Sequence, residues 1–472
     1  MERRPGADEV LKTIKEKGIR FVDLQFTDIR GRLQHTTVSS RLINADILEN
    51  GIPKLDGSSI NGFALIQESD LVLKPDPSTF AVLPWFEESC RFLCDVYWGK
   101  GKGRLRKDPR GVAQRAEEYA KEMGYETFWG PEVEFFVFDD VSWDVSQPYR
   151  GMWYEVTSKE EAWGSNGYPI RFKEGYYPAP PQDTFMGFRS EVAKILEDDF
   201  GIPCIAHHHE VATAGQCEID MEFDHLTRMA DNVMTYKYVV KNLAREKGLI
   251  ATFMPKPVYM DCASGMHVNV SLWRDGENVF YDENDEYAEI SDTARYFIGG
   301  LMEHSSSLMA ISAPTTNSYK RLVPGYEAPV YVTWSVANRS AGIRVPAYHR
   351  GRNFAASKRI EFRPPDPSAN PYLCFSAILM AGLDGIRKKL DPGDPFDGNV
   401  YSLTEEEKRE MGIRELPGSL KEAVESLLSD NEYLKPVFDK ELIDTIAELE
   451  LKDYGKVESM PHPYEFYLYF DL

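Results

Sequence analysis

Hydrophobic positions along the chain predict a short helix, a run of strands and a long helical end. In DEVLKTIKEKG, Val10, Leu11 and Ile14 fall at helical spacing, and Gly18 is a stop. RFVDLQFTDIRGRLQHTTV then alternates. Val22, Leu24 and Phe26 take one face, and a turn near Gly31 makes the segment a hairpin. FAVLPW and RFLCDVYW add two strands, closing a small α+β unit near residue 100. GKGKGRLRKDPRG reads as a flexible, basic, solvated linker that fits neither a phosphate-loop nor a dinucleotide-binding glycine pattern. RGVAQRAEEYAKEMG is a helix opening a second, larger unit. From Val141 to about residue 182 the periodicity gives way to a loop-rich stretch of Gly, Pro and Tyr. The last third is helical, with Ser419 and Glu422 forming a capping box ahead of Leu420, Val424 and Leu427.

Four strand-like segments combine an apolar face with a charged one. GPEVEFFVFDD puts Glu132, Glu134 and Phe136 together, the carboxylates roughly 6 to 7 Å apart along the strand. HHHEVATAGQCEID reads as a hairpin turning at AGQ, which brings Glu210 on its first strand to Glu218 on its second. In SGMHVNVSLW, His267, Asn269 and Ser271 oppose Met266, Val268, Val270 and Leu272. In KRIEFRPPDP, Arg359, Glu361 and Arg363 oppose Ile360 and Phe362. Five glutamates and one histidine in such places exceed what a solvated sheet face needs, and burying them is costly without cations. Oxygen-rich sets with one imidazole suit Mg2+ or Mn2+ rather than zinc. The run His207, His208 and His209 cannot supply a three-histidine zinc site, because neighbours on a strand point to opposite faces.

Arg359 and Arg363 beside a metal ligand call for anions, and NSYKRLVPGYEAPVYVTWSVANRSAGIRVP adds Arg321, Glu327, Arg339 and Arg344. Metals with arginines fit phosphoryl transfer, where charge neutralisation is most of the catalysis. On these residues alone a metal-dependent phosphatase stays open. The 472 residues carry 54 Lys and Arg against 76 Asp and Glu, a net charge of −22. That field repels phosphate backbones and anionic membrane surfaces, which excludes nucleic acid and membrane as main partners. MERRPGADEV has no apolar stretch behind its arginines, so no signal peptide is expected, and CFSAILMAGL is too short and interrupted to span a bilayer. Six cysteines without a CxxC pattern read as structural thiols in a reducing, cytoplasmic setting.

These segments together resemble the type I glutamine synthetase family. DGSSINGF, GPEVEFF, HHHEVATAGQCEID, SGMHVNVSLW, NSYKRLVPGYEAP, NRSAGIRVP and RIEFRPPDPSANPYL stand in the family's order, and the likeness runs from about Gly18 to the C-terminus. It implies an α+β fold: a small β-grasp-like N-terminal domain over 1–105, then a catalytic domain over 106–472. In the latter, a curved antiparallel sheet would carry the metal site, followed by a helical C-terminal tail.

The resemblance also implies roles. Glu134, Glu210 and Glu218 match the ligands of one divalent ion, and Glu132, His267 and Glu361 those of a second that meets the ATP phosphates. Gly265, Arg321 and Arg363 match groups around glutamate; Arg339, Arg344 and Arg359 match phosphate-facing arginines, and Ser271 a nucleotide contact. Asp56 matches the residue that binds and deprotonates ammonium, and Glu327 the flap residue that closes over the intermediate. The implied reaction joins ammonium to L-glutamate through γ-glutamyl phosphate at the expense of ATP, with two or more Mg2+ or Mn2+ per site. The implied assembly is a dodecamer of two hexameric rings with sites shared between neighbours. The aromatic tail HPYEFYLYFDL independently calls for burial against another subunit.

The chain departs from the family in places. Cys262-Ala263 replaces the usual Asn-Gly before SGMH, which bears on the glutamate pocket. Tyr401 lacks the usual surroundings of an adenylylated tyrosine, so no modification is expected there. Leu65 stands where one feedback-inhibited branch has arginine, which argues against that inhibition. A γ-glutamyl ligase using another amine and a catalytically inactive relative are the competing readings.

Overall fold

The computed structural model describes residues 5–164, 167–324 and 328–471. Its first hundred residues supply α1 (Ala7–Glu16), β1 (Phe21–Thr27), β2 (Leu33–Ser39), α2 (Ala45–Asn50), β3 (Ile52–Asp56), β4 (Asp70–Pro75), β5 (Ala81–Val82) and β6 (Ser89–Trp98). The strands form a six-stranded sheet in the order β2-β1-β6-β4-β3, with β5 on β6. β1 and β2 are the expected hairpin, with Val22 opposite Val38. Gly31 closes its turn at φ +80°, a backbone state that a side chain resists. β3 and β4 lie outside the sequence reading, because β3 offers only Ile52 and Leu55 and β4 has Leu71, Val72 and Leu73 in one run, so no alternation shows.

Strand β1 is buried on both faces. Val22, Leu24 and Phe26 share a core with Val10 and Ile14 of α1. On the other face Asp23 and Gln25 are buried among polar partners. Arg91 of β6 reaches across from there: Nη1 donates to Gln25 and Nη2 donates at 2.8 Å to Thr235 on α5 (Leu226–Glu246), described next.

Beyond residue 105 come α3 (Pro109–Glu122), β7 (Glu126–Phe138), β8 (Asp140–Asp144), β9 (Trp153–Thr157), α4 (Met186–Phe200), β10 (Cys204–His209) and β11 (Gln216–Met221). After α5 follow β12 (Ile250–Thr252), β13 (Met266–Arg274), β14 (Glu277–Asn278), α6 (Asp292–Glu303), α7 (Ser305–Ser312) and α8 (Ser318–Arg321). Then come β15 (Tyr331–Val332), β16 (Trp334–Val336), β17 (Ile343–Val345), β18 (Ile360–Phe362) and α9 (Pro371–Lys388). The chain ends with α10 (Glu405–Glu410), β19 (Arg414–Glu415), α11 (Leu420–Ser429), α12 (Lys440–Glu458) and α13 (Pro463–Tyr469).

The large sheet runs β10-β11-β7-β13-β18-β17-β16, with β12 on β7 and β14 on β13. It is antiparallel except at one edge, where β16 and β17 run parallel, so the expected all-antiparallel sheet is in fact mixed. Met266, Val268, Val270 and Leu272 turn one face to the helices, where α5 and α9 lie buried along most of their lengths. Trp129 of β7 stacks on Phe375 of α9 with ring centroids 5.5 Å apart. Helices α6 and α9 meet through Gly300 and Gly385; a Cβ on Gly300 would overlap the Ala381 carbonyl, so only glycine allows that approach. Among the described residues no helix is long and apolar enough to cross a membrane, and all six cysteines are free thiols.

Three local expectations need correction. The segment after residue 99 is not a solvated linker throughout: Arg104 Nη2 binds Asp95 at 2.7 Å and Asp108 at 2.8 Å. Arg110 is buried and bonds to Asp76 and Asp95 at 2.6 Å each and to Asp231 at 2.9 and 3.0 Å. Its basic residues answer half-buried carboxylates, Asp76 and Asp95, on one side of the junction and the buried Asp231 on the other. The stretch from Val141 holds a two-stranded ribbon, β8 with β9, whose rings at Trp143, Trp153 and Tyr154 are exposed. Ser419 caps α11 by accepting the Glu422 N–H, but the Glu422 carboxylate accepts from Gly418 N–H at 2.9 Å instead of closing a box on Ser419.

Candidate active site

The polar face of the large sheet gathers its carboxylates by register. His267 on β13 stands opposite Glu132 on β7, Asn269 opposite Glu361 on β18, and Glu218 on β11 opposite Glu134 on β7. Cross-strand neighbours project to the same side, so alternation within each strand becomes a patch across several.

Two compact groups result. The ligand atoms of Glu132, His267 and Glu361 lie within 4.8 Å of one another, with His267 Nδ1 3.3 Å from Glu132 Oε2. Those of His208, Glu210 and Glu218 do the same. Glu134 stands beside the second group but outside that tight set. Its carboxylate accepts from Gln216 Nε2 at 2.8 Å and feels the charge of Glu210. Glu210 sits one residue past the end of β10, its N–H donating to the Gln216 carbonyl at 2.9 Å.

The three histidines diverge, as their alternation requires. His207 faces Ser190 and Arg189, and His209 is buried against Glu160 with Nε2 3.0 Å from Oε2. Only His208 turns to the carboxylates. Sequence reasoning missed it, although positions 208 and 210 share a face by the same period that excluded a three-histidine site. Tyr177 packs edge-on to His208 at 4.7 Å and stacks on Tyr176 at 4.0 Å, so the loop-rich stretch ends as an aromatic wall over this group.

The carboxylates are under electrostatic strain. Burial, then the charge of Glu210, pushes Glu134 and Glu218 well above the usual carboxylate range. Burial and then Glu132 raise Asp220 to about 6. Burial opposes ionisation of Glu132 too, but hydrogen bonds from His267 and Asn269 outweigh it and hold Glu132 at about 2. Sets of two carboxylates and one imidazole, with raised acids beside them, fit hard divalent cations whose charge would relieve the repulsion.

Arginines close the other side. Glu361 is fully buried, accepting from Arg344 Nε at 2.5 Å and from Arg363 Nη1 at 2.6 Å. Arg359 Nε donates at 2.9 Å to Asn269, whose amide donates at 3.0 Å to Glu132. Arg321 is buried at the end of α8, donating to the carbonyls of Pro364 at 2.6 Å and Arg363 at 3.1 Å. Gly265 lies where these parts converge. A Cβ there would stand 3.0 Å from both Arg321 Nη2 and His267 Nε2, and 3.3 Å from Glu134 Oε1. Just upstream, the Ala263 carbonyl accepts from Gln216 Nε2 at 3.3 Å while Cys262 is buried, so the departing pair is tied to Glu134 through Gln216.

At the far end of β13, Ser271 Oγ accepts from Trp273 Nε1 at 3.0 Å beside the ring cluster of Phe128, Phe223 and His225. Arg339 is exposed on the turn after β16, and its charge reaches the Tyr176 hydroxyl. One expected residue, Asp56, is not joined to this centre. Asp56 is exposed at the end of β3, where its carboxylate accepts from Ser58 N–H at 3.0 Å, Ser58 Oγ at 2.7 Å and Ser59 Oγ at 2.8 Å. Those bonds, Ser58 foremost, hold it below the usual carboxylate range. Glu327 lies outside the described residues. Tyr401 is half-buried with its hydroxyl donating to the Ala328 carbonyl at 2.7 Å, and Leu65 is exposed.

Comparison with known proteins bears on the whole chain. The pattern described as "Glutamine synthetase, catalytic domain" matches residues 106–469, and that described as "Glutamine synthetase, beta-Grasp domain" matches residues 18–99. The chain is 56% identical over 465 residues to glutamine synthetase of Sulfolobus acidocaldarius, covering 98% of each. To glutamine synthetase of Escherichia coli it is 44% identical over 480 residues, covering 99% of this chain and 100% of the other. The cryo-electron microscopy structure of Plasmodium falciparum glutamine synthetase superposes with a TM-score of 0.88 at 26% identity, over 98% of this chain and 99% of that one.

Proposed function

The chain belongs to the glutamine synthetase family, and from that premise we propose how its own residues carry the reaction. It is an ATP-dependent glutamate–ammonia ligase that uses a divalent metal. The observation that supports the assignment of roles most strongly is the junction at Glu361. One buried carboxylate joins the His267 group to Arg344 and Arg363, so metal ligands and anion-binding guanidiniums share a single wall.

We place one divalent ion among Glu134, Glu210 and Glu218, with His208 against it, and a second among Glu132, His267 and Glu361. Mg2+ or Mn2+ suits both oxygen-rich sets. When bound, these ions offset charge on the phosphates during transfer. Arg321, Arg363 and the backbone at Gly265 hold glutamate with its γ-carboxylate toward the ATP γ-phosphorus. Arg339, Arg344 and Arg359 face the phosphates, and Ser271 with the Phe223 ring borders the nucleotide. The γ-carboxylate oxygen attacks the γ-phosphorus, ADP leaves, and γ-glutamyl phosphate forms. Ammonium loses a proton to Asp56; the ammonia attacks the acyl carbon and phosphate departs. Glu327 is assigned to a closing segment that excludes water from the acyl phosphate.

Among the described residues Asp56 meets Ser58, Ser59 and Ser69 of its own small domain and none of the metal-site carboxylates, so we assign it to the site of a neighbouring subunit. The tail supports such an assembly: Tyr464, Phe466, Tyr467, Tyr469 and Phe470 on and after α13 are all exposed, Phe470 to 79%. A dodecamer of two hexameric rings would bury them. We divide the chain into an N-terminal domain over 1–105 and a catalytic domain over 106–472, joined at the Arg110 network. The six free thiols favour a cytoplasmic setting.

Phosphate release from ATP and glutamate, with ammonium and then with a panel of organic amines, tests the reading. Release that needs an organic amine and ignores ammonium would assign the chain to the competing amine ligases.

A further inference from the structure

A cleft of about 800 Å³ separates the β1–β2 hairpin from α5, and a second of about 550 Å³ runs from the same turn to α12. Gly31, Arg32, Lys237 and Lys241 line both, so three cations stand at the throat where the clefts meet. Lys237 and Lys241 are one helical turn apart on α5, and Arg32 faces them from the hairpin turn. Among the described residues the side-chain cations of the three make no salt bridge to a carboxylate, although the Asp28 carboxylate accepts the Arg32 backbone N–H at 2.9 Å. Of the nearby acids, Asp23 and Glu87 line the larger cleft and Glu450 and Asp453 the smaller, while the buried Asp366 lies close enough for its charge to act on Lys237. Two of them are already engaged. Asp23 accepts from Gln25 at 2.8 Å and Thr37 at 2.9 Å and faces His35 at 2.6 Å, while Asp453 holds Arg30 and Lys456.

The crowding has a cost. Lys237 is 8% exposed, and its ammonium donates to the Pro367 carbonyl at 2.6 Å and more weakly to Ala369. Burial, then the charge of Lys241, draws it down to about 7, so an anion in the throat would restore its proton and gain a partner. A guanidinium fork and two ammonium groups together match a compact group with three acceptor oxygens. Behind the throat the larger cleft offers Trp85, Phe86 and Tyr238 with the polar edge at Asp23 and His35, a volume ordinary for a small-molecule site.

We propose that the throat lined by Arg32, Lys237 and Lys241 is an anion site, apart from the ligase centre, that takes the phosphate group of a small phosphomonoester. Pyridoxal 5′-phosphate tests this on the intact enzyme. Its aldehyde condenses with a lysine amine with loss of water, and borohydride delivers hydride to the imine, leaving a stable secondary amine that peptide mapping locates. The expected result is labelling of Lys241 at least tenfold faster than of other exposed lysines such as Lys440. Inorganic phosphate should suppress it, succinate at equal concentration should not, and Arg32→Ala should erase the preference while the fold persists. Equal labelling of Lys241 and Lys440, or labelling that phosphate leaves unchanged, overturns the site. Protection by succinate as effective as by phosphate overturns the phosphate assignment.

Discussion

His208 Nε2 lies 3.3 Å from Glu218 Oε1, its cross-strand neighbour in the β10–β11 pair. Glu218 is thus flanked by an imidazole and by the carboxylates of Glu210 and Glu134, and burial with Glu210 raises its proton affinity well above normal. Glu218→Gln removes that repulsion. The variant is expected to be more thermostable than wild type once divalent ions are chelated, and to gain little when they return. Wild type should gain about 2.7 kcal/mol at a hundredfold excess of metal over its dissociation constant. Melting curves with and without chelator check both; an equal metal gain in variant and wild type would remove Glu218 from the ligand set.

Gly265 leaves no room for a side chain between Arg321, His267 and Glu134. Gly265→Ala must displace at least one of them by a few tenths of an ångström. Activity is expected to fall about 10- to 100-fold with the fold intact, since small displacements of positioning groups cost that much. Steady-state kinetics beside a melting curve separate the two effects.

Arg110 is buried between Asp76 and Asp95 on one side and Asp231 on the other. Arg110→Met takes the ion-pair partner from Asp76 and Asp231, while Asp95 keeps Arg104, and loss of about 3 to 5 kcal/mol is expected on unfolding. Denaturant titration reads it. A loss under 1 kcal/mol would show that the junction does not depend on the network.

His304 bonds through Nδ1 to Asp430 at 2.8 Å and through Nε2 to Asp384 at 3.0 Å, and stacks on Tyr433. Burial alone would lower its proton affinity, but the hydrogen bonds to Asp430 and Asp384 outweigh it, so the folded imidazole titrates above its usual value. A raised folded value stabilises fully below the unfolded value of about 6.5 and is lost as pH rises through the folded one. Wild type should therefore lose stability relative to His304→Gln as pH rises above about 6.5. Parallel slopes would contradict this.

Much of this was legible in the sequence where a period had room to repeat. Nine residues of β13 were enough to sort His267, Asn269 and Ser271 from the apolar face, and the β10–β11 turn brought Glu210 to Glu218. Register between strands was not legible, because it depends on long-range pairing. The set of Glu134, Glu210 and Glu218 rests on the family resemblance, whereas the approach of His208 to Glu210 and Glu218 depends on the β10–β11 register. Charge runs were also ambiguous: the same basic residues after position 99 that read as solvated meet half-buried Asp76 and Asp95 of the small domain and buried Asp231 far along the chain. Short strands such as β3, with two apolar positions, and β4, with three in a row, show no alternation by which to signal themselves.

The central claim is that glutamate is activated as an acyl phosphate in the carboxylate and arginine centre around Glu361. Glutamate labelled with oxygen-18 in its γ-carboxylate tests it most directly, with ATP and ammonium supplied and the released phosphate analysed by mass. Transfer of one labelled oxygen to phosphate for each glutamine formed is the predicted result. Phosphate released without label, while glutamine is made, would contradict it.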